Sequence, residues 1–236
     1  MRVRVRYSKF GKVRFLSHRD LARIIERAVR RADLPVSYSE GFSPHARLHF
    51  GLALSTGYES YAEYFDVDLD EDRDGMRPAP ELAAALDPCL PAGVTTTASR
   101  ELEPGTPSLQ DAVTSSTWRF DLPAADADEV VARAAQLLAA DELPLELVRK
   151  GKQVREDLRP LLLDLVAERT PDGALLTAEL GTKPRSVRPA ELLAALRLDV
   201  EPARVVRMHQ WITSDGERRE PIELAAPSPH AQARAS

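Results

Sequence analysis

Glu81-Leu82-Ala83-Ala84-Ala85-Leu86 returns 110 positions later, with one change, as Glu191-Leu192-Leu193-Ala194-Ala195-Leu196. The same offset sets Gly41 on Gly151. At an offset of 109, Asp33-Leu34-Pro35 falls on Glu142-Leu143-Pro144, and Leu21, Ala28 and Val29 fall on Val130, Leu137 and Leu138. Short Ala/Leu helices resemble one another by chance. A glycine, a turn and two helical segments kept in one order with one inserted residue are the mark of a repeated unit. The 236 residues therefore read as a unit of about 110 written twice.

The unit reads as α+β. Across residues 2–7, Val3, Val5 and Tyr7 alternate with Arg2, Arg4 and Arg6, the period of a half-buried strand with a basic outer face. Residues 13–15 continue extended. Ser17-His18-Arg19-Asp20 fits a capping box. After it, Leu21, Ile24, Ile25, Ala28 and Val29 form one apolar helical stripe. Pro35 stops the helix. Short strands are expected at 36–38, 48–55, 59–69 and 94–99, with a helix at 81–86. Beyond the linker candidate Glu103-Pro104-Gly105-Thr106-Pro107 the pattern returns. Strands are expected at 118–120, 145–148, 161–169, 174–180 and 204–212, and helices at 127–140 and 190–196. The expectation is two tandem ferredoxin-like (βαββαβ-type) units from an internal duplication, at 1–102 and 115–214. A linker would occupy 103–114 and a flexible tail 215–236.

Composition narrows the function. The formal charge is −5 and the pI near 5.6, which taken whole disfavours a nucleic-acid binder. The mean conceals segregation. Residues 1–50 carry twelve Lys/Arg against four Asp/Glu, a net +8. Residues 51–145 carry five against nineteen, a net −14, and residues 146–236 carry fifteen against fourteen. The single cysteine, Cys89, forms no disulfide within the chain, which points to a reducing, cytoplasmic setting. One thiolate also cannot build an iron–sulfur cluster or a zinc finger. No apolar run approaches the roughly 20 residues of a membrane span. The basic start, MRVRVRYSKF, reads as a strand and not a signal peptide.

Three segments carry chemistry. Arg19, Arg23, Arg27 and Arg30 recur three or four residues apart as a ridge opposite the apolar stripe, with Arg14 just ahead of Ser17 and His18. Such a surface attracts phosphates, or pairs with the acidic middle of the chain. The loop Tyr38-Ser39-Glu40-Gly41-Phe42-Ser43-Pro44-His45-Ala46-Arg47 sets polar side chains around a glycine, a proline and an aromatic ring able to stack on a base. The corresponding loop of the second half holds Arg149, Lys150, Lys152, Arg155 and Arg159, and Lys183, Arg185 and Arg188 form a further cluster. His18 and His45 are candidate general bases, without an acid or nucleophile at a telling spacing. His45 and His49 lie four apart in a segment read as extended, too distant for one metal, so no metal site and no cofactor is indicated. There is no phosphate-cradling glycine loop and no nucleophile elbow.

Several stretches together resemble a known family. They are Val13-Arg14-Phe15-Leu16-Ser17-His18-Arg19-Asp20-Leu21, the run from Leu34 to His45, Leu48-His49-Phe50-Gly51, and Leu54-Ser55-Thr56-Gly57. In the second half they are Lys150-Gly151-Lys152, Asp157-Leu158-Arg159-Pro160-Leu161 and Ser186-Val187-Arg188-Pro189. This pattern is similar to the radical-SAM-linked family of uncharacterised bacterial proteins, over about residues 2–212. Members stand alone or are fused behind a radical S-adenosylmethionine enzyme. This sequence lacks the C-x-x-x-C-x-x-C motif, so the resemblance implies the stand-alone companion. The expected role is an RNA-binding or partner-binding accessory protein, acting with an RNA-modifying radical SAM enzyme or a ribonuclease and not at a membrane. Two alternatives stand. One is a small metal-independent RNA endonuclease like the tandem ferredoxin-like enzymes that process CRISPR repeats. The other is a structural adaptor.

Overall fold

The computed structural model describes residues 1–42, 44–149 and 151–222. In chain order the first half runs β1 (Arg2–Lys9), α1 (His18–Arg31), β2 (Leu48–Phe50), β3 (Glu59–Asp68), α2 (Leu82–Leu86) and β4 (Val94–Glu101). After α3 (Leu109–Ala112), the second half runs β5 (Ser115–Pro123), α4 (Ala127–Ala139), β6 (Pro144–Arg149), β7 (Lys152–Asp157), β8 (Leu162–Thr170), β9 (Gly173–Gly181), α5 (Pro189–Leu196), β10 (Arg204–Ser214) and β11 (Glu217–Arg219). This is an α+β protein with a mixed nine-strand sheet and, among the described residues, five α-helices.

The sheet order is β4-β1-β3-β10-β5-β9-β8, with β2 on β3 and β11 on β10. In the first half β1 lies between β4 and β3, with β2 beyond. In the second half β5 lies between β10 and β9, with β8 beyond. All these pairs are antiparallel. The halves join through a short parallel contact, Val206 with Glu59 and Arg207 with Ser60. α1 and α4 start 109 residues apart, at His18 and Ala127, and β4 and β10 start 110 apart, at Val94 and Arg204. The spacing read from sequence thus carries into the element order.

Each half has its own core. Val3, Val5 and Tyr7 of β1 pack with Phe65 and Val67 of β3 under Leu21, Ile25, Ala28 and Val29 of α1. Trp118, Phe120 and Leu122 of β5 pack with Leu176 and Leu180 of β9 under Val130, Ala134, Leu192 and Leu196. Fully burying such side chains contributes roughly 1.5–3 kcal/mol each. A third cluster forms around Ala62, Tyr64, Leu109, Val113 and Ile222. Because successive strand residues face opposite ways, Ala62 and Tyr64 point away from the side that Phe65 and Val67 share with α1.

That third cluster corrects the basic outer face expected for β1. Arg4 and Arg6 are buried, at 1% and 3% exposure, because the other side of the sheet is covered too. Arg4 forms a two-pronged ion pair with Asp66, at 2.7 and 3.0 Å. Arg6 donates to Glu220 at 3.3 Å, and Arg2 pairs with Asp68. Lys9 is buried as well, and its Nζ donates to the carbonyls of Arg14 and Leu16. Burial lowers the Lys9 pKa from its ordinary range.

Other elements also differ from expectation. Residues 13–15 are not extended but lie in a 3-10 turn, Gly11–Phe15, entered through Gly11 at a φ of +70°. Residues 36–38 form only isolated bridges, Val36 with Leu69 and Tyr38 with Ala46. The strand expected over 48–55 stops at Phe50. Gly51 lies so close to Leu109 that a Cβ there would sit 3.2 Å from Leu109 Cδ1. The segment read as linker holds α3, capped by Ser108, with Leu109 and Val113 buried. The second basic loop is the hairpin β6–β7. Residues 215–222, assigned to a loose tail, form a hairpin with β10 and bury Ile222.

β3 supplies counter-charges on both flanks. Glu63 accepts from buried Arg207 of β10 at 2.7 Å. Glu59 accepts from Arg204, lies 3.6 Å from Arg14, and accepts the Gly11 N–H at 2.8 Å. Burial alone would push the Glu59 carboxyl up. The Gly11 N–H, Arg204 and Arg14 outweigh it and hold the group below its ordinary 4.5. Asp68 is likewise held low, as Arg2 and His49 override its burial.

Two outcomes follow from these pairs. Asp66→Ala leaves the Arg4 guanidinium buried without its carboxylate and lowers the unfolding free energy by about 3–5 kcal/mol in urea titration. Replacing both partners together, Arg4→Met with Asp66→Leu, costs far less; equal losses would mean the buried charge is not the cause. Carboxyls held low when folded add stability that is full above their unfolded values and is lost as pH falls through the folded ones. The urea midpoint is therefore steady near neutrality and declines once pH drops below 4.5, less steeply in Glu59→Gln. An unchanged slope in that variant would show Glu59 is not linked to folding.

Candidate nucleic-acid interface

α1 starts where Ser17 Oγ accepts the Asp20 N–H at 3.2 Å and donates to the Asp20 carboxylate at 2.7 Å. Its apolar stripe is buried, so Arg19, Arg23, Arg27 and Arg30 are turned to solvent. Their partners are local and weak. Arg23 lies 3.7 Å from Asp20 and Arg30 lies 2.7 Å from Glu26, both within one helical turn and exposed. Such pairs contribute a few tenths of a kcal/mol, about what solvent offers in their place. Among the described residues Arg19 and Arg27 form no ion pair.

The loop after α1 is a small hairpin beside this ridge. Ser39 N–H donates to the His45 carbonyl, Arg47 N–H to the Ser37 carbonyl, both at 2.9 Å, and His45 N–H to Ser39 Oγ at 3.0 Å. Gly41, at a φ of +119°, turns the tip, where an L side chain would be strained. Phe42 stands beside it with its ring wholly exposed, at 109%. The Arg30 guanidinium lies 5.8 Å from the Tyr38 ring centre, so ridge and hairpin form one surface. Glu40, His45 and Arg47 are exposed there; Ser43 lies outside the described residues. Arg47 also lines a mixed-charge cavity of about 590 Å³ with Arg2, Asp68 and Glu71.

His18 and His45 are poorly placed for proton transfer. The His18 ring stands edge-on to Phe50 with centroids 5.4 Å apart. The His45 side chain is exposed, and its bonds to Ser39 run through backbone atoms. A general base needs a group within hydrogen-bond reach to act on or be oriented by. Among the described residues no cluster of three or more His, Cys, Asp or Glu is placed to hold a metal ion.

The second-half cations divide by role. Lys152 and Arg155 are exposed on β7 near the tip glycine Gly151, beside Val148 at 74% exposure; Lys150 lies outside the described residues. Arg159 is committed to structure. Its guanidinium donates to the carbonyls of Ala140, Leu138 and Leu162 at 3.0–3.1 Å, closing the C-terminal end of α4. Lys183 Nζ donates to the Gln110 carbonyl at 2.7 Å. Arg185 is held between Glu156 and Glu191, the latter at 2.6 Å. Arg188 is exposed just before α5. The structure thus joins the ridge to the Tyr38–Ala46 hairpin, while the β6–β7 pair stands apart as its own two-stranded sheet. Sequence reading missed Phe15, exposed at 62% under the Arg14 guanidinium, 4.7 Å from its ring centre. The signal was an aromatic residue set between Arg14 and a helix cap.

An α+β scaffold with an arginine-faced helix and a protruding aromatic hairpin is the class of protein these features define. Over residues 2–189 the chain matches the family described as uncharacterized protein conserved in bacteria (DUF2344), and it belongs to that family. No curated protein matches it. Among the described residues no helix is long and apolar enough to cross a membrane.

The two kinds of arginine separate by stability. Arg159→Ala leaves three carbonyls without their donor and destabilises by about 1–3 kcal/mol in urea titration. Arg23→Ala and Arg27→Ala stay within about 0.5 kcal/mol of the parent. A large loss for Arg27→Ala would mean the ridge serves the fold.

Proposed function

We propose that this protein is an RNA-binding accessory protein whose α1 ridge and Tyr38–Ala46 hairpin hold a phosphate backbone. The observation that carries this reading is the sorting of arginines. Arg4 and Arg6 of β1 and Arg207 of β10 are buried against carboxylates, whereas Arg19, Arg23, Arg27 and Arg30 are exposed with at most a local ion-pair partner. Cations left in solvent are free to displace counterions from a nucleic acid. Phe42 and Tyr38 add ring faces on which an unpaired base stacks.

The resemblance to radical-SAM-linked proteins supplies the context: a cytoplasmic companion that presents RNA to a modifying radical SAM enzyme or to a ribonuclease. Duplication of a ferredoxin-like unit accounts for the scaffold. In support, the order β4-β1-β3-β2 of the first half is matched by β10-β5-β9-β8 in the second once the separate β6–β7 hairpin is set aside, with matching helices 109 residues apart. Docking on a partner protein is the second reading, favoured by Phe42 alone, since an aromatic ring fully in water fits an apolar pocket on another molecule. Cleavage of RNA by His18 or His45 draws no support from their surroundings.

Filter binding with total RNA at two salt concentrations tests the first reading. Affinity falls steeply with salt. Arg23→Glu with Arg27→Glu weakens it at low salt and lowers the slope of log K against log salt by about 0.7 per lost phosphate contact. Absent or salt-independent binding would overturn the reading. Partner capture lost in Phe42→Asp, with RNA binding untouched, would favour the second.

A further inference from the structure

A cleft of about 510 Å³ lies where the halves meet, and the Arg14–Phe15 pair forms one of its sides. Its floor is apolar, made by Leu193 and Ala194 of α5, Leu198, and Tyr58 at the start of β3. α5 buries Leu192 and Leu196 in the second core, which leaves Ala190 and Ala194 exposed on the cleft side. The opposite wall comes from the 3-10 turn before α1. There Phe15 is exposed at 62%, with the Arg14 guanidinium over its face at 4.7 Å.

The rim is cationic. Arg14, Arg197 and Arg204 all line the cleft. Arg14 and Arg204 share the single carboxylate Glu59, so one positive charge between them is unbalanced. Arg197 ends α5 in the left-handed region, at a φ of +51°, with its side chain exposed and, among the described residues, no ion pair. Against these stands one further acid on the rim, Glu201.

An aromatic face, an apolar floor and surplus guanidinium suit a planar ring carrying an anion. We infer that this cleft takes one unpaired nucleotide of an RNA strand, its base against Phe15 and the α5 floor and its phosphate toward Arg14 and Arg197. The inference rests on the RNA-binding reading and deepens it. Phe15 is two residues before Ser17, which caps α1, so a strand lying along the ridge starts beside the cleft. The site selects single strands, because a base in a duplex has no free face to offer.

The test uses the full chain with two probes, a fluorescent oligouridine and an RNA duplex of equal length, each titrated at two salt concentrations. Phe15→Ala removes the exposed ring and Ala194→Trp fills the floor; thermal melts confirm that both fold. Each variant binds oligouridine roughly 5- to 100-fold more weakly, the scale of one lost stacking contact. Duplex affinity and salt slope stay unchanged. With 4-thiouridine in the oligomer, light cross-links the peptides containing Phe15 or Tyr58. Oligouridine affinity within twofold of the parent in both variants, or equal losses for oligouridine and duplex, overturns the cleft as a nucleotide site while the ridge reading survives. If the parent chain binds neither probe, the RNA-binding reading fails, and this inference with it.

Discussion

A guanidinium cannot be buried without a counter-charge, and the sheet is arranged around that constraint. β3 carries Glu59, Glu63, Asp66 and Asp68, and arginines reach them from both sides. Arg2 and Arg4 come from β1, Arg204 and Arg207 from β10. The strand that neutralises both flanks is also the strand through which the halves join. The parallel contact there is only two residue pairs long, too few backbone bonds to fix one half against the other. The Arg204–Glu59 and Arg207–Glu63 ion pairs and the Arg207 bonds to the Leu52 and Ala53 carbonyls extend that contact across the seam, and Trp118 of its own half lies under the Arg207 guanidinium at 4.7 Å. Directional pairs of this kind set register and orientation more than they add net stability.

An antiparallel sheet commonly leaves one face in water. Here the first half is covered on both. α1 and α2 cover the side that holds Phe65 and Val67, and α3 with the segment ending at Ile222 covers the side that holds Tyr64. Burial raises the Tyr64 phenol pKa, the response of a group whose charged form has lost its water. β1 therefore tolerates arginine at alternate positions only because Asp68 and Asp66 of β3 face Arg2 and Arg4 and Glu220 reaches Arg6.

What was legible in the sequence follows from the range of each interaction. The α1 stripe, the Ser17 cap, the neighbouring strands expected at 161–169 and 174–180 and the 109-residue spacing depend on neighbours or on regular recurrence, and they appear where read. The buried face of β1 depends on residues 103–113 and 220–222, which local pattern cannot bring to it. Arg2, Arg4 and Arg6 alternating with apolar residues look the same whether water or Asp68, Asp66 and Glu220 lies opposite. A signal existed in the four acids of β3, Glu59, Glu63, Asp66 and Asp68, set among Ala62, Tyr64, Phe65 and Val67. Likewise Arg159 and Arg185 counted as free cations until Leu138, Ala140 and Glu191 came beside them.

The same sorting changes what the net charge means. A chain at −5 repels RNA only to the extent that its carboxylates face solvent unpaired. In the segment at −14, Glu59, Glu63, Asp66 and Asp68 are paired with arginines of the sheet, and these are mutual cancellations that no ligand feels at a distance. The helix ridge keeps its charge because its apolar stripe faces the core and its arginines have no strand beside them. Segregation along the sequence thus becomes segregation in depth: β3's acid is spent inside the sheet, while the arginines of α1 and Arg197 stay in solvent.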